Sequence, residues 1–171
     1  MVFVLILLLA LYYLPSAPSL FSSSKKFFSF NSTTLLMLLA YGSSLLFVYS
    51  TWVEEIDLLA LSLASGGIIL HFFAVFGLKE NWSAGIRKSN SLNTKGIYSI
   101  VRHPAYNAAF LFYSGLALNS KSVEAIIIVG TYLLVRITIE EKELRKHFGP
   151  AYIEYSKKVP ATLLGLVFKP L

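Results

Sequence analysis

Arg102-His103-Pro104-Ala105-Tyr106 gathers a cation, a titratable imidazole and a phenol directly ahead of an apolar run. Proline has the φ of a first helical turn and lacks an amide that a helix start cannot use, so Pro104 marks a helix N-terminus. His103, before it, is pushed towards extended backbone. Amides at the positive end of the helix dipole, beside Arg102, favour a carboxylate or phosphate. The stretch therefore reads as an exposed helix start at a membrane surface where an anion-bearing cofactor could dock. The plain structural alternative is that Arg102 and His103 anchor the helix to lipid headgroups.

A second constellation is Glu140-Glu141-x-x-Leu144-x-x-x-Phe148-Gly149-x-x-Tyr152-x-x-Tyr155. Adjacent carboxylates repel, and holding them at a hydrocarbon boundary is costly unless a cation balances them. Arg136 lies four residues before Glu140 and can neutralise one carboxylate, which leaves the other to bind a cation. The alternative is a solvated helix with pairs such as Glu141 and Arg145. Leu144 and Phe148 share one helical face, Gly149-Pro150 should interrupt the helix, and Tyr152 and Tyr155 should resume it along the interface.

The elements that must position these groups are set by composition. Of 171 residues, 56% are hydrophobic and 14% charged, too apolar a balance for a soluble domain of this size. The fold class expected is all-α integral membrane, with about five transmembrane helices and a cytoplasmic or interfacial C-terminal helix. The candidate spans are Met1–Leu14, Thr33–Val53, Leu58–Leu78, Pro104–Leu118 and Val123–Ile139. No Lys or Arg precedes Lys25, so the first is read as a retained span and not a signal peptide. Residues 1–78 form three scaffold spans and 79–171 a catalytic part of one membrane domain.

Charge orients the chain. If the segment after the third span faces the cytoplasm, nearly all Lys and Arg fall on that side, while Lys121 and the acidic turn Glu54-Glu55-Asp57 fall on the other. The N-terminus is then outside, and the C-terminus and active site are cytoplasmic. The net charge of +6 reflects topology and contact with anionic headgroups, not nucleic-acid binding. With no cysteine, thiolate chemistry is excluded, and no metal site is expected. Ser62, Ser65, Gly66 and Gly67 suit close helix packing, and His71 in the same span reads more readily as a packed histidine than a catalytic one. Ser83–Thr94 reads as a loop that could close over something. Ala161–Phe168, between two prolines, is too short to span and either lies in the interface or covers a cofactor.

Taken together, Asn81-Trp82-Ser83, Gly96-x-Tyr98, Arg102-His103-Pro104-x-Tyr106 and the Glu140-Glu141 to Tyr155 pattern resemble the isoprenylcysteine carboxyl methyltransferase family. Related integral-membrane methyltransferases act on phospholipid amines. The resemblance covers roughly Leu78 to Pro160, and spans one and two add only hydropathy. It implies a small all-helical membrane enzyme that takes S-adenosylmethionine from the cytosol and a lipophilic or prenylated acceptor from the bilayer. Such a protein resides in the cell membrane of a prokaryote or the endoplasmic reticulum of a eukaryote.

The residues suit that donor. Arg102, His103 and the amides after Pro104 complement its carboxylate, and Glu140 or Glu141 its ammonium. Tyr98, Tyr106 or Phe148 can flank adenine. Arg136 could instead hold an acceptor carboxylate, and Arg136 and Glu140 are the catalytic candidates. A carboxylate acceptor needs no base, whereas a phospholipid amine must lose a proton to Glu140, Glu141 or His103. The glycine-rich strand-to-helix fingerprint of soluble nucleotide-binding domains is absent from the sequence. Two other classes remain: an NADPH-dependent membrane sterol or enone reductase, for which an acidic pair suits a polyphosphate poorly, and a non-enzymatic membrane protein. Oligomeric state is left open.

Overall fold

The computed structural model describes residues 2–13, 57–78, 91–163 and 166–167. The expected span Thr33–Val53, the acidic residues Glu54 and Glu55, and Asn81-Trp82-Ser83 lie outside the described residues, as does most of the Ser83–Thr94 loop. Five helices are described: α1 (Val2–Tyr13), α2 (Leu58–Leu78), α3 (Pro104–Asn119), α4 (Val123–Phe148) and α5 (Pro150–Lys158). A 3₁₀ turn, Gly96–Ser99, precedes α3. After α5, β1 (Ala161–Leu163) and β2 (Leu166–Val167) pair antiparallel, with Ala161 opposite Val167 and Leu163 opposite Leu166.

The helical architecture holds among the described residues, but an all-α fold does not describe the C-terminal tail. Pro160 has no amide to continue α5, and β1 beyond it pairs with β2 as a ribbon and packs against α3. Among the described helices, α2 alone is long and apolar enough to cross a membrane by length and composition. Its 21 residues rise about 31 Å, close to the hydrocarbon thickness. α4 is longer than the expected span, running through the charged stretch from Glu140 to Phe148 before Gly149, at φ 54°, breaks it.

α2 and α3 form the central pair, and small residues bring their backbones together. A Cβ on Gly67 would stand 2.6 Å from the Phe112 amide nitrogen and 2.8 Å from the Ala108 carbonyl oxygen. Reciprocally, a Cβ on Gly115 would stand 2.5 Å from the Ala60 carbonyl oxygen. Contact this close in an apolar setting relies on dispersion, which glycine permits and any larger residue blocks. At the far end the Asp57 side chain caps α2 by accepting from the Ala60 amide at 2.9 Å, and the Asp57 amide donates to Asn119 Oδ1 at 3.0 Å. The acidic residue thus fixes the start of α2 against the end of α3. Tyr12 of α1 stacks on Phe112, ring centres 4.3 Å apart, and lies 4.4 Å from the His71 ring. The Tyr13 and Tyr113 hydroxyls bond beside them. His71 is a buried member of this aromatic layer.

Candidate functional site

The two chemical stretches of the sequence meet in space. Arg102 and His103 stand just before α3, and Glu141 stands on the last part of α4, where that helix passes the start of α3. Arg102 Nε donates to Glu141 Oε1 at 2.8 Å, and His103 Nε2 lies 3.0 Å from the same oxygen. The Tyr152 hydroxyl of α5 donates to it at 3.0 Å, and Arg145 Nη2 reaches Oε2 at 3.3 Å. Arg102, His103 and Glu141 are each buried, at 4%, 4% and 7% exposure. A carboxylate so deep persists as an anion only because its neighbours compensate for lost water. Burial by itself would raise the Glu141 pKa, but the His103 hydrogen bond, the charges of His103 and Arg102 and the Tyr152 hydroxyl outweigh it and hold Glu141 at about 2.

Arg102 has further commitments. Its Nη1 donates to the carbonyls of Ser156 (3.1 Å), Val159 (2.8 Å) and Pro160 (3.2 Å), gathering the end of α5 over the motif. The start of α3 is therefore not the exposed surface that the sequence suggests: Pro104 is among the largest fully buried side chains. The physical reason is that a guanidinium with several donors needs several acceptors when buried, and the orphan carbonyls at a helix C-terminus provide them.

Tyrosines frame the cluster. The Tyr155 hydroxyl donates to the Tyr98 carbonyl at 2.7 Å, and the Tyr98 hydroxyl to the Ala74 carbonyl at 3.2 Å. Burial, with the Arg102 and Glu141 charges adding smaller opposing effects, lifts Tyr155 to about 12. Burial first, and nearby carboxylates second, raise Tyr98 and Tyr152 further. All three stay protonated donors at neutral pH. The Tyr98 ring also packs 3.3 Å from where a Cβ on Gly77 would sit, so α2 takes up one side of it.

Glu140 points elsewhere than Glu141. The Tyr106 hydroxyl donates to its Oε2 at 2.5 Å. Arg136 is 3% exposed, and its buried Nη1 has no hydrogen-bond partner among the described residues. The expected Arg136–Glu140 ion pair is not among those formed; the pair one helical turn apart here is Arg145 with Glu141, the alternative the sequence offered. Spacing puts both pairs on shared faces, but Tyr106 of α3 takes Glu140 across the helix interface. Phe148 packs against Tyr152, Tyr155 and Val159.

The structure thus brings together Arg102, His103 and Glu141 in one group, Tyr106 and Glu140 in another, and leaves Arg136 Nη1 without a partner among the described residues. Sequence reasoning missed the role of Tyr152 on Glu141, although its place in the second motif pointed to the helix that carries it. It also missed Asn107, a polar residue in the first turn of an apolar helix, which is a signal in its own right. Among the described residues no group of His, Cys, Asp and Glu could hold a metal.

The described part of the chain has a fold seen in a solved protein. It matches a solved structure of the eukaryotic intramembrane Ras methyltransferase, an isoprenylcysteine carboxyl methyltransferase, with a TM-score of 0.54 at 22% identity, covering 78% of this chain and 53% of that one. Residues 56–151, more than half of the sequence, match the family model described as phospholipid methyltransferase, and the chain belongs to that family. Protein-S-isoprenylcysteine O-methyltransferase B of Arabidopsis thaliana is 32% identical over 76 residues, 42% of this chain and 39% of the relative. Methanethiol S-methyltransferase 2 of Bradyrhizobium diazoefficiens is 33% identical over 104 residues, 58% of this chain and 40% of the relative. The chain spans about two fifths of the length of these curated relatives.

Proposed function

We propose that the protein is a membrane methyltransferase that moves a methyl group from S-adenosylmethionine to the carboxylate of a lipophilic acceptor, an S-prenylated cysteine being the best match to its relatives. The observation that carries this reading is the contrast between the two buried arginines. Arg102 is spent on Glu141 and three carbonyls, whereas Arg136 keeps a buried, unpartnered nitrogen. A guanidinium nitrogen left without an acceptor in a dry site is expensive, and a carboxylate from outside the chain would complete it.

The residues fit the donor's ammonium and adenine. Glu140, held by Tyr106, suits its ammonium; Tyr98, Tyr106 and the Phe148 region suit adenine; His103, Pro104 and the Arg102–Glu141 pair form the floor beside them. The donor supplies an electrophilic methyl on a positive sulfonium. Arg136 orients the acceptor carboxylate, and the helices around it remove water from that oxygen. Such an acceptor already carries its negative charge at neutral pH, so no residue has to take a proton. If the acceptor were a phospholipid amine, Glu140 would be the base within reach of the Tyr106 hydroxyl. The basic residues of α4 and α5 support a cytoplasmic site with the N-terminus outside, in a cell membrane or the endoplasmic reticulum according to the host.

The test is calorimetric titration of the protein in detergent with S-adenosylmethionine, with and without a prenylcysteine carboxylate. The reading expects donor binding in the wild type, weakened by Glu140→Gln, and acceptor binding lost in Arg136→Met. Absence of donor binding in the wild type, or tight NADPH binding in its place, overturns it.

A further inference from the structure

Asn107 has no part in the chemistry proposed above, yet it is 5% exposed and fully engaged. It lies in the first turn of α3, and its Nδ2 donates to the His103 carbonyl at 2.8 Å and to the Thr162 carbonyl at 2.6 Å. The first bond stays within the helix start. The second reaches 55 residues along the chain to β1. An asparagine amide has two hydrogens, and here each goes to the backbone of a different segment. Thr162 itself is completely buried.

Arg102 holds the same C-terminal stretch upstream, through carbonyls at Ser156, Val159 and Pro160. Its reach ends at Pro160. Beyond it, among the described residues, Asn107 ties the motif to β1 through the Thr162 carbonyl. A neutral amide is the group this place requires, because a carboxylate there would face two carbonyl oxygens with no hydrogen to offer.

We infer that Asn107 is a positioning residue that clamps β1 over the first turn of α3, making β1 and its partner β2 the wall that shuts water out of the donor pocket. The inference deepens the function proposed above and, for the donor pocket, rests on it. A fixed wall beside a charged cluster strengthens every electrostatic contact inside. It acts on how long the donor stays and not on the groups that touch it. The clamp is made through backbone carbonyls, so the ribbon can be held whatever side chains it carries.

The test uses the full chain in detergent, its Asn107→Leu and Asn107→Asp variants, and a chain ending at Pro160. Hydrogen exchange over residues 156–163 is followed without ligand, and S-adenosylmethionine affinity is measured by calorimetry. Loss of one such bond should speed exchange in that stretch about fivefold to tenfold, more for Asp than for Leu, while protection in α2 stays as in the wild type. The donor Kd should rise by a similar factor, and in the shortened chain Asn107→Leu should add nothing further. Wild-type exchange and Kd in both variants overturn the clamp. So does an equal Kd loss from Asn107→Leu in full and shortened chains, which would place Asn107 in direct contact with the donor. If the variants lose α2 protection, the shortened chain decides, since an unchanged Kd there refutes the wall. If the wild type binds no donor but Asn107→Leu loosens the ribbon, the clamp stands and the proposed function falls.

Discussion

Replacing Glu141 by Gln removes one negative charge from the centre of the buried cluster while keeping its volume and one acceptor oxygen. In the wild type that carboxylate accepts from Arg102, His103, Tyr152 and Arg145. Its displacement from 4.5 to about 2, at about 1.4 kcal/mol per pH unit, corresponds to about 3 kcal/mol of stability. An independent route gives a similar figure, because removing one partner of a buried ion pair costs about 3–5 kcal/mol by stranding the other. For a chain of this size the loss should lower the melting temperature in detergent by about 10 °C. The sign with pH follows from the depressed pKa: the wild-type contribution is complete above about pH 4.5 and fades as pH falls towards 2. Glu141→Gln should therefore lie below the wild type at neutral pH and converge on it in acid. Thermal melts of both proteins from pH 2 to 8 check this. A variant within 2 °C of the wild type at pH 7 would refute the claim that Glu141 is the electrostatic centre of the fold here.

Arg136→Met should separate function from stability: methyl transfer falls by about a hundredfold or more, while the melting temperature holds or rises, because the side chain removed is a buried cation with an unpartnered nitrogen. Labelled-methyl assays beside melts read both. Glu140→Gln should weaken S-adenosylmethionine about tenfold in calorimetry, whereas Tyr106→Phe, which removes one hydrogen bond to that carboxylate, should cost less. Gly67→Ala should destabilise by about 1–3 kcal/mol, since its Cβ would meet α3 backbone and the helices must part. Gly66→Ala, with nothing near the added methyl, should melt like the wild type.

Local signals in the sequence were legible where one residue type has one physical use. Pro104 does open α3, and Gly149-Pro150 does divide α4 from α5. Gly67 sits at a close helix crossing, as the small residues of that span suggested. The pairing of charges was less readable. Helical spacing offered both Arg136–Glu140 and Glu141–Arg145, and nothing in the sequence says that Tyr106, on another helix, takes Glu140 while Arg102 takes Glu141. Adjacent glutamates point to different neighbours because successive residues on a helix are about 100° apart, and each meets what tertiary packing brings. The ribbon was hidden for a related reason. Its attachment to Asn107, like that of the end of α5 to Arg102, runs through backbone carbonyls, which every sequence has and none advertises.

The proposed activity is one transfer. Protein in lipid nanodiscs is incubated with methyl-labelled S-adenosylmethionine and an S-farnesylated cysteine bearing a free carboxylate, and the products are treated with base. Label is expected in a base-labile methyl ester, released as methanol and lost in Arg136→Met. Label that stays in base-stable phospholipid amines, or no transfer at all despite donor binding, would contradict it.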